Sequence, residues 1–183
     1  VYLILGDTTA DTPNLDGIMS DYGLKKVSGY IADTQRCYQG NYYAIFPQLS
    51  LSGDMGSGIS NQMVLLLNSP GMEKTDTDND NLTVTPFMQT SDSGYAVTEN
   101  DQTQGQYILG AVSTNAISAD SSDSDSEDED DKRDATDTDT KTARLTVLAS
   151  ASMISSDITD QLTTLDNLTL FVNSVTENFD NVN

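Results

Sequence analysis

The chain has 183 residues, with 8 Lys and Arg against 29 Asp and Glu, a net charge of −21, and neither His nor Trp. That length suits one domain able to bury its own core without staples. So acidic a surface repels nucleic-acid phosphate and disfavours an anionic membrane face, and the missing His removes Ser-His-Asp and Cys-His catalysis and most zinc chemistry.

Val1–Gly6 is an apolar run ending in Gly-Asp and reads as a buried strand leading into a loop. Thr12-Pro13 looks like an N-cap with Pro at the first helical position. Leu15, Ile18, Met19 and Tyr22 then recur at helical spacing, and Gly23 closes a short amphipathic helix over 12–23. Val27–Ala32 reads as the next strand, Arg36–Tyr43 as a turn dense in Tyr, Gln, Gly and Asn, and Ala44–Leu51 as an extended edge segment because of Pro47. Ser52–Gln62 is a Gly/Ser-rich loop with at most one helical turn, and Met63–Leu67 a fully apolar strand stopped by Asn68-Ser69-Pro70-Gly71. Thr75–Asn81 is a polar turn, Leu82–Met88 an alternating strand, Thr90–Ser93 a capping-type loop and Tyr107–Thr114 another strand. Ser118–Lys141 holds eleven acids and no apolar residue larger than Ala; it cannot bury enough surface to offset its ordering entropy and is expected to be a disordered insertion. Arg144–Ala149 is a short buried strand and Ser155–Leu162 a short helix. Asn167–Phe179 is a strong amphipathic helix with Leu168, Phe171, Val172, Val175 and Phe179 on one face.

Apolar strands ending at Gly, Ser and Asp loops, with helices between them, predict an α/β layer with a partly parallel sheet. The longest apolar runs, Val1–Leu5 and Met63–Leu67, fall far short of the roughly 20 residues of a spanning helix. The chain opens without Met on a strand-like run and reads as cut from a longer protein, with any leader or anchor outside it. Cys37 stands alone and is either a buried small hydrophobe or an exposed thiol.

The candidate sites are three. Asp7 follows the first strand, at the carboxyl end where open α/β sheets bind ligands, and Ser91, Asp92, Ser150 and Ser152 converge on the same rim if the sheet is parallel there. Tyr38, Gln39, Asn41, Tyr42 and Tyr43 form a tyrosine-rich patch suited to partner contact. Asp76–Asp80 mimics the start of a calcium loop. The sixth position is Asn81 rather than Gly and the twelfth is Phe87 rather than Glu, so a solvated acidic turn is the better reading. Ser150 and Ser152 follow a strand without a Gly-x-Ser-x-Gly elbow, which argues against a serine enzyme.

The blocks LILGD, PNLDGIMSDYGLKKVSGYIAD, RCYQGNYYAIFP, VTPFMQTSDSGYAV, GQYILGAVS, ARLTVLASASMISSDI and NLTLFVNSV stand in that order along the chain. The ordered set resembles the extracytoplasmic auxiliary domain of gliding-motility-type (GldG-like) ABC transporters and covers nearly everything except Ser118–Lys141. The resemblance implies a single domain over 1–183, similar to a flavodoxin-like or glutamine-amidotransferase-like layered sheet with flanking helices, possibly a partial domain. It implies a non-catalytic binding role beside a permease and an ATPase, without a cofactor, on the outer side of a bacterial membrane and anchored by segments not in this chain. The alternatives are a secreted or surface hydrolase-like domain and a calcium-dependent surface module using Asp76–Asp80.

Overall fold

A computed structural model describes residues 1–6, 11–117 and 141–179. Asp7 and nearly all of the acidic Ser118–Lys141 stretch lie outside the described residues. Among the described residues the chain passes through β1 (Tyr2–Ile4), α1 (Pro13–Asp21), β2 (Leu24–Lys26), β3 (Tyr30–Asp33), β4 (Cys37–Tyr38), β5 (Asn41–Ile45) and β6 (Gln48–Leu49). A 3-10 turn (Gly53–Gly56) precedes β7 (Leu66–Leu67), β8 (Met72–Lys74), β9 (Leu82–Gln89), β10 (Gly94–Val97), β11 (Gln102–Gln104), β12 (Ile108–Ile117) and β13 (Lys141–Leu148). A second 3-10 turn (Ala151–Ile154) leads to α2 (Ser156–Thr159) and α3 (Asn167–Phe179).

The fold is mixed α/β. Seven strands share one sheet, along the path β1-β13-β12-β8-β2, with β9 also on β12 and β6 on β9. Only β1 and β13 pair in parallel, from Tyr2↔Thr146 to Ile4↔Leu148. The other pairs of this sheet are antiparallel, and a register shift near Gly110 brings Pro86 opposite Ala111. Two small antiparallel sheets, β11-β10-β3 and β4-β5-β7, extend the molecule.

β13 is buried over Leu145–Leu148 without alternation, as a strand covered on both faces must be. The two covers follow from register. Thr146 lies opposite Tyr2 and Val112, and it donates to Asn178 Oδ1 of α3 at 2.9 Å. Ser113, one residue on and therefore on the other face, donates to the Tyr22 carbonyl at the end of α1 at 2.7 Å. Thus α1 and α3 flank opposite faces of the sheet.

Several sequence expectations hold. α1 has Pro13 at its start, and Gly23 follows it with φ +71°. Met19 is its buried contact, whereas Ile18 stays exposed. Thr12 does not cap the backbone: its hydroxyl donates to Asp16 at 3.3 Å and accepts from Lys26 at 2.7 Å.

Other expectations are corrected. The segment expected as one strand over Val27–Ala32 is split: β2 ends at Lys26, and β3 resumes at Tyr30 after Gly29, whose φ is +83°. In Met63–Leu67 only the last two residues pair, with β5. Val64 and Leu65 are buried, and the Leu65 backbone is completed by the Asn167 side chain, which accepts from Leu65 N and donates to Leu65 O, both at 2.9 Å. The same amide donates to Met153 O at 3.0 Å. Asn167→Ala is therefore expected to cost roughly 2–3 kcal/mol in urea unfolding, since buried backbone groups lose their partners.

α3 has the expected bounds but not the expected inward face. Its buried positions are Asn167, Leu170, Ser174 and Asn178, while Leu168, Val172 and Phe179 are 50%, 55% and 59% exposed. Specific bonds fix this rotation: Asn178 to Thr146, Ser174 Oγ to Tyr2 Oη at 2.7 Å, and Arg144 to Glu177 at 3.1 Å.

Candidate functional site

The carboxyl-end rim divides into separate arrangements. β9 and β13 both run antiparallel to β12, so Ser91 and Ser150 follow strands that point the same way. Their hydroxyls serve different partners. Ser91 is buried, and its Oγ donates to Asp33 Oδ1 at 2.8 Å while its N–H donates to Oδ2 at 2.7 Å. Asp33 Oδ1 also accepts from the amides of Gln35 and Arg36, each at 2.9 Å. Burial works to raise the Asp33 pKa, but these donors together outweigh it and hold the carboxyl below its ordinary value. Asp33 thus closes the turn after β3 onto the turn after β9. Asp92 beside it is exposed and contributes its carbonyl, which accepts from Gln104 Nε2 at 3.2 Å.

Ser150 Oγ contacts Ser152 Oγ at 2.7 Å, and Ser152 Oγ accepts from Leu67 N at 2.9 Å. This pair caps the second 3-10 turn and pins β7 to it. The rim serines are bound into the scaffold, and Ser91 and Ser150 have no partner in common.

A concavity of about 550 Å³ does form at the carboxyl end of β1, against the N-terminal end of α1 and Lys25 and Lys26. Its cations are already paired. Lys26 meets Asp16 at 3.0 Å and Lys25 meets Glu73 at 3.2 Å. Asp76, Asp78 and Asp80 are exposed, in a turn closed by Asn79 and Thr77. Among the described residues no three acids or Cys gather as a metal site.

The tyrosine patch is not a turn throughout but a hairpin. Gln39 and Gly40, with φ of 50° and 78°, form the two-residue turn between β4 and β5, the geometry that matches strand twist. Tyr38 packs edge-on against Phe46, with ring centres 6.0 Å apart, and its hydroxyl accepts from Gln39 Nε2 at 3.0 Å. Asn41 Oδ1 accepts from the Tyr43 amide at 3.1 Å. These three side chains hold the hairpin. Cys37 is half-buried, opposite Ile45.

Tyr42 and Tyr43 remain open to solvent. They join Ala32, Thr34, Tyr95, Val97 and Gln102 around a groove of about 320 Å³. Tyr95 comes from β10, held opposite Ala32 of β3. Sequence reasoning missed Tyr95 because Gly94–Val97 and the polar Gln102–Gln104 were not read as strands; the alternation of Gly94-Tyr95-Ala96-Val97 before a Thr-Glu-Asn-Asp turn was the available signal.

No protein-family model and no curated protein sequence matches the chain. Among solved structures, the chain is similar to the mmIFT52 N-terminal domain, with a TM-score of 0.55 at 12% identity. The match covers 96% of this chain, which spans 62% of the length of that one. At that identity the likeness is one of fold.

Proposed function

We propose that the chain is a non-catalytic interaction domain, the extracytoplasmic part of an ABC-transporter auxiliary subunit working beside a permease and an ATPase. The observation that carries the interaction reading is the groove of Tyr42, Tyr43 and Tyr95, aromatic side chains left open beside Thr34 and Gln102. Tyrosines of this kind supply contact area at low entropic cost, with a hydroxyl for specificity. Support also comes from the serines of the rim, whose hydroxyls hold Asp33 and Leu67. The transporter setting rests on the ordered blocks from LILGD to NLTLFVNSV, and with it go the outer face of a bacterial membrane and anchoring by segments outside this chain. A flavodoxin-like or amidotransferase-like layering belongs to the same proposal. It is supported by helices on opposite faces of the sheet, the parallel β1–β13 pair and the concavity at their carboxyl end.

The test is mild crosslinking of the full-length protein in its native membrane, followed by mass spectrometry of its neighbours. The expected result is recovery of a permease and an ATPase, reduced by about 30-fold in a Tyr42→Ala/Tyr95→Ala variant, the scale of two central tyrosine contacts. Recovery of neither subunit sinks the transporter setting. Recovery unchanged in the variant removes the groove as the docking surface.

A further inference from the structure

The tripeptide Asn-x-Ser/Thr, with x other than Pro, occurs twice in the chain, as Asn81-Leu82-Thr83 and as Asn167-Leu168-Thr169. It is the acceptor pattern for an N-linked glycan, a bulky group that only the surface of a fold can carry. The two copies hold the same three residues in opposite surroundings.

Asn167 is 1% exposed. Its amide donates to Leu65 O and Met153 O, and its Oδ1 accepts from Leu65 N. A sugar on that nitrogen takes one of the two donors and has no room in the core, so a chain modified there does not close α3 onto Leu65.

Asn81 is exposed, in the turn before β9. Its backbone is fixed at both polar atoms. The N–H donates to Asn79 Oδ1 at 3.0 Å, and the carbonyl accepts from Ala116 N at 3.1 Å. Its side-chain amide has no partner among the described residues, and neither has the hydroxyl of Thr83. Leu82 and Val84 pack over Gly23, which leaves Thr83 on the opposite, solvent face of β9. The edge of β9 is also open here. Among the described residues its second neighbour, β6, reaches only Met88 and Gln89, so Leu82–Thr85 has β12 on one side and no strand on the other. The acceptor amide and the hydroxyl two residues on are therefore both free on an accessible edge.

We propose that Asn81 carries an N-linked glycan and that Asn167 does not. The transfer forms a bond from Asn81 Nδ2 to the anomeric carbon of a sugar and breaks that carbon's bond to the phosphate of a lipid-linked oligosaccharide. The lipid phosphate leaves with the electron pair, and one amide proton passes to a carboxylate of the transferase. Such transfer takes place outside the cytoplasm, so the inference rests on the extracytoplasmic reading above. The glycan stands at the open end of β9, where its bulk keeps another strand from pairing with that edge.

The test takes the full-length protein from its native membrane and digests it with an endoproteinase that cuts before Asp. The two tripeptides then fall in separate peptides, 80–91 and 166–179. Mass spectrometry is expected to find 80–91 heavier by a glycan that releases sugar fragments on collision, and 166–179 at its bare mass. Asn81→Gln and Thr83→Ala, both at exposed positions, are each expected to abolish the added mass, and Thr83→Ser to keep it. Protease treatment of spheroplasts, run in parallel, reads the location. Accessible protein with a bare 80–91 peptide overturns the glycan and leaves the outer location standing. Protein cut only after lysis overturns both. A glycan on 166–179, or added mass that survives Asn81→Gln, also overturns the assignment.

Discussion

Asp33→Ala is expected to lower folding stability by about 4 kcal/mol, because three backbone amides and the Ser91 hydroxyl lose one shared acceptor, and buried donors left bare cost about 1–3 kcal/mol each. On a chain of this length that corresponds to a fall in Tm of about 8–16 °C. Asp33→Asn keeps the shape but turns an NH2 toward one of the donors, and a smaller loss of about 2 kcal/mol is expected. The two losses should depend on pH in a defined direction. The folded carboxyl is held below its unfolded value, so its stabilisation is present in full above the unfolded pKa and is lost as pH falls through the folded one. Urea midpoints of wild type and Asp33→Asn, measured from neutral pH downward, should converge in acid. A gap that stays constant over that range would falsify the charged, multiply bonded role.

Gly29→Ala is expected to cost about 3–4 kcal/mol, from two causes that add. Gly29 sits at φ +83°, in the left-handed region, and a Cβ placed there meets the Val97 backbone carbonyl directly, with Thr98 Cγ2 at 3.0 Å. The obstacle is backbone, in the strand that pairs with β3, so neither side yields without disturbing the β3–β10 ladder. Gly40 separates the two causes. It has φ +78° but nothing within 4 Å of the added atom, so Gly40→Ala is expected to cost only about 1 kcal/mol. Equal losses at the two positions in urea unfolding would remove the close approach as a cause.

The sequence was most readable where one local rule decided the outcome. The bounds of α3, the start and stop of α1, the strands at Leu82 and Arg144 and the single helical turn after Ser52 all follow from periodicity, Pro, Gly and apolar runs. It was least readable where a distant partner decided. Periodicity marks which side of α3 is apolar, but burial went to Asn167, Ser174 and Asn178, whose amides and hydroxyl find Leu65, Tyr2 and Thr146 across the fold. The β10–β11 hairpin escaped because Gln102–Gln104 is wholly exposed and its pairing is backbone alone. In the candidate site Tyr42 stands open to solvent, while the hydroxyls of Ser91 and Ser150 are held by Asp33 and Ser152. Asp33, the residue that organises Ser91, lies 58 positions from it, a separation at which no local pattern speaks.

The parallel β1–β13 pair also bears on how the chain reaches its fold. The Val1 nitrogen donates to the Arg144 carbonyl at 2.8 Å across 143 positions of sequence. Contacts this remote form late, after loop closure has been achieved elsewhere, and they slow folding. Synthesis proceeds from the amino end, so the apolar run Val1–Leu5 leaves the ribosome long before its partner exists. Until Arg144–Leu148 emerges, Val1–Leu5 lacks its β13 ladder, and an apolar strand that waits so long for its partner is exposed to aggregation.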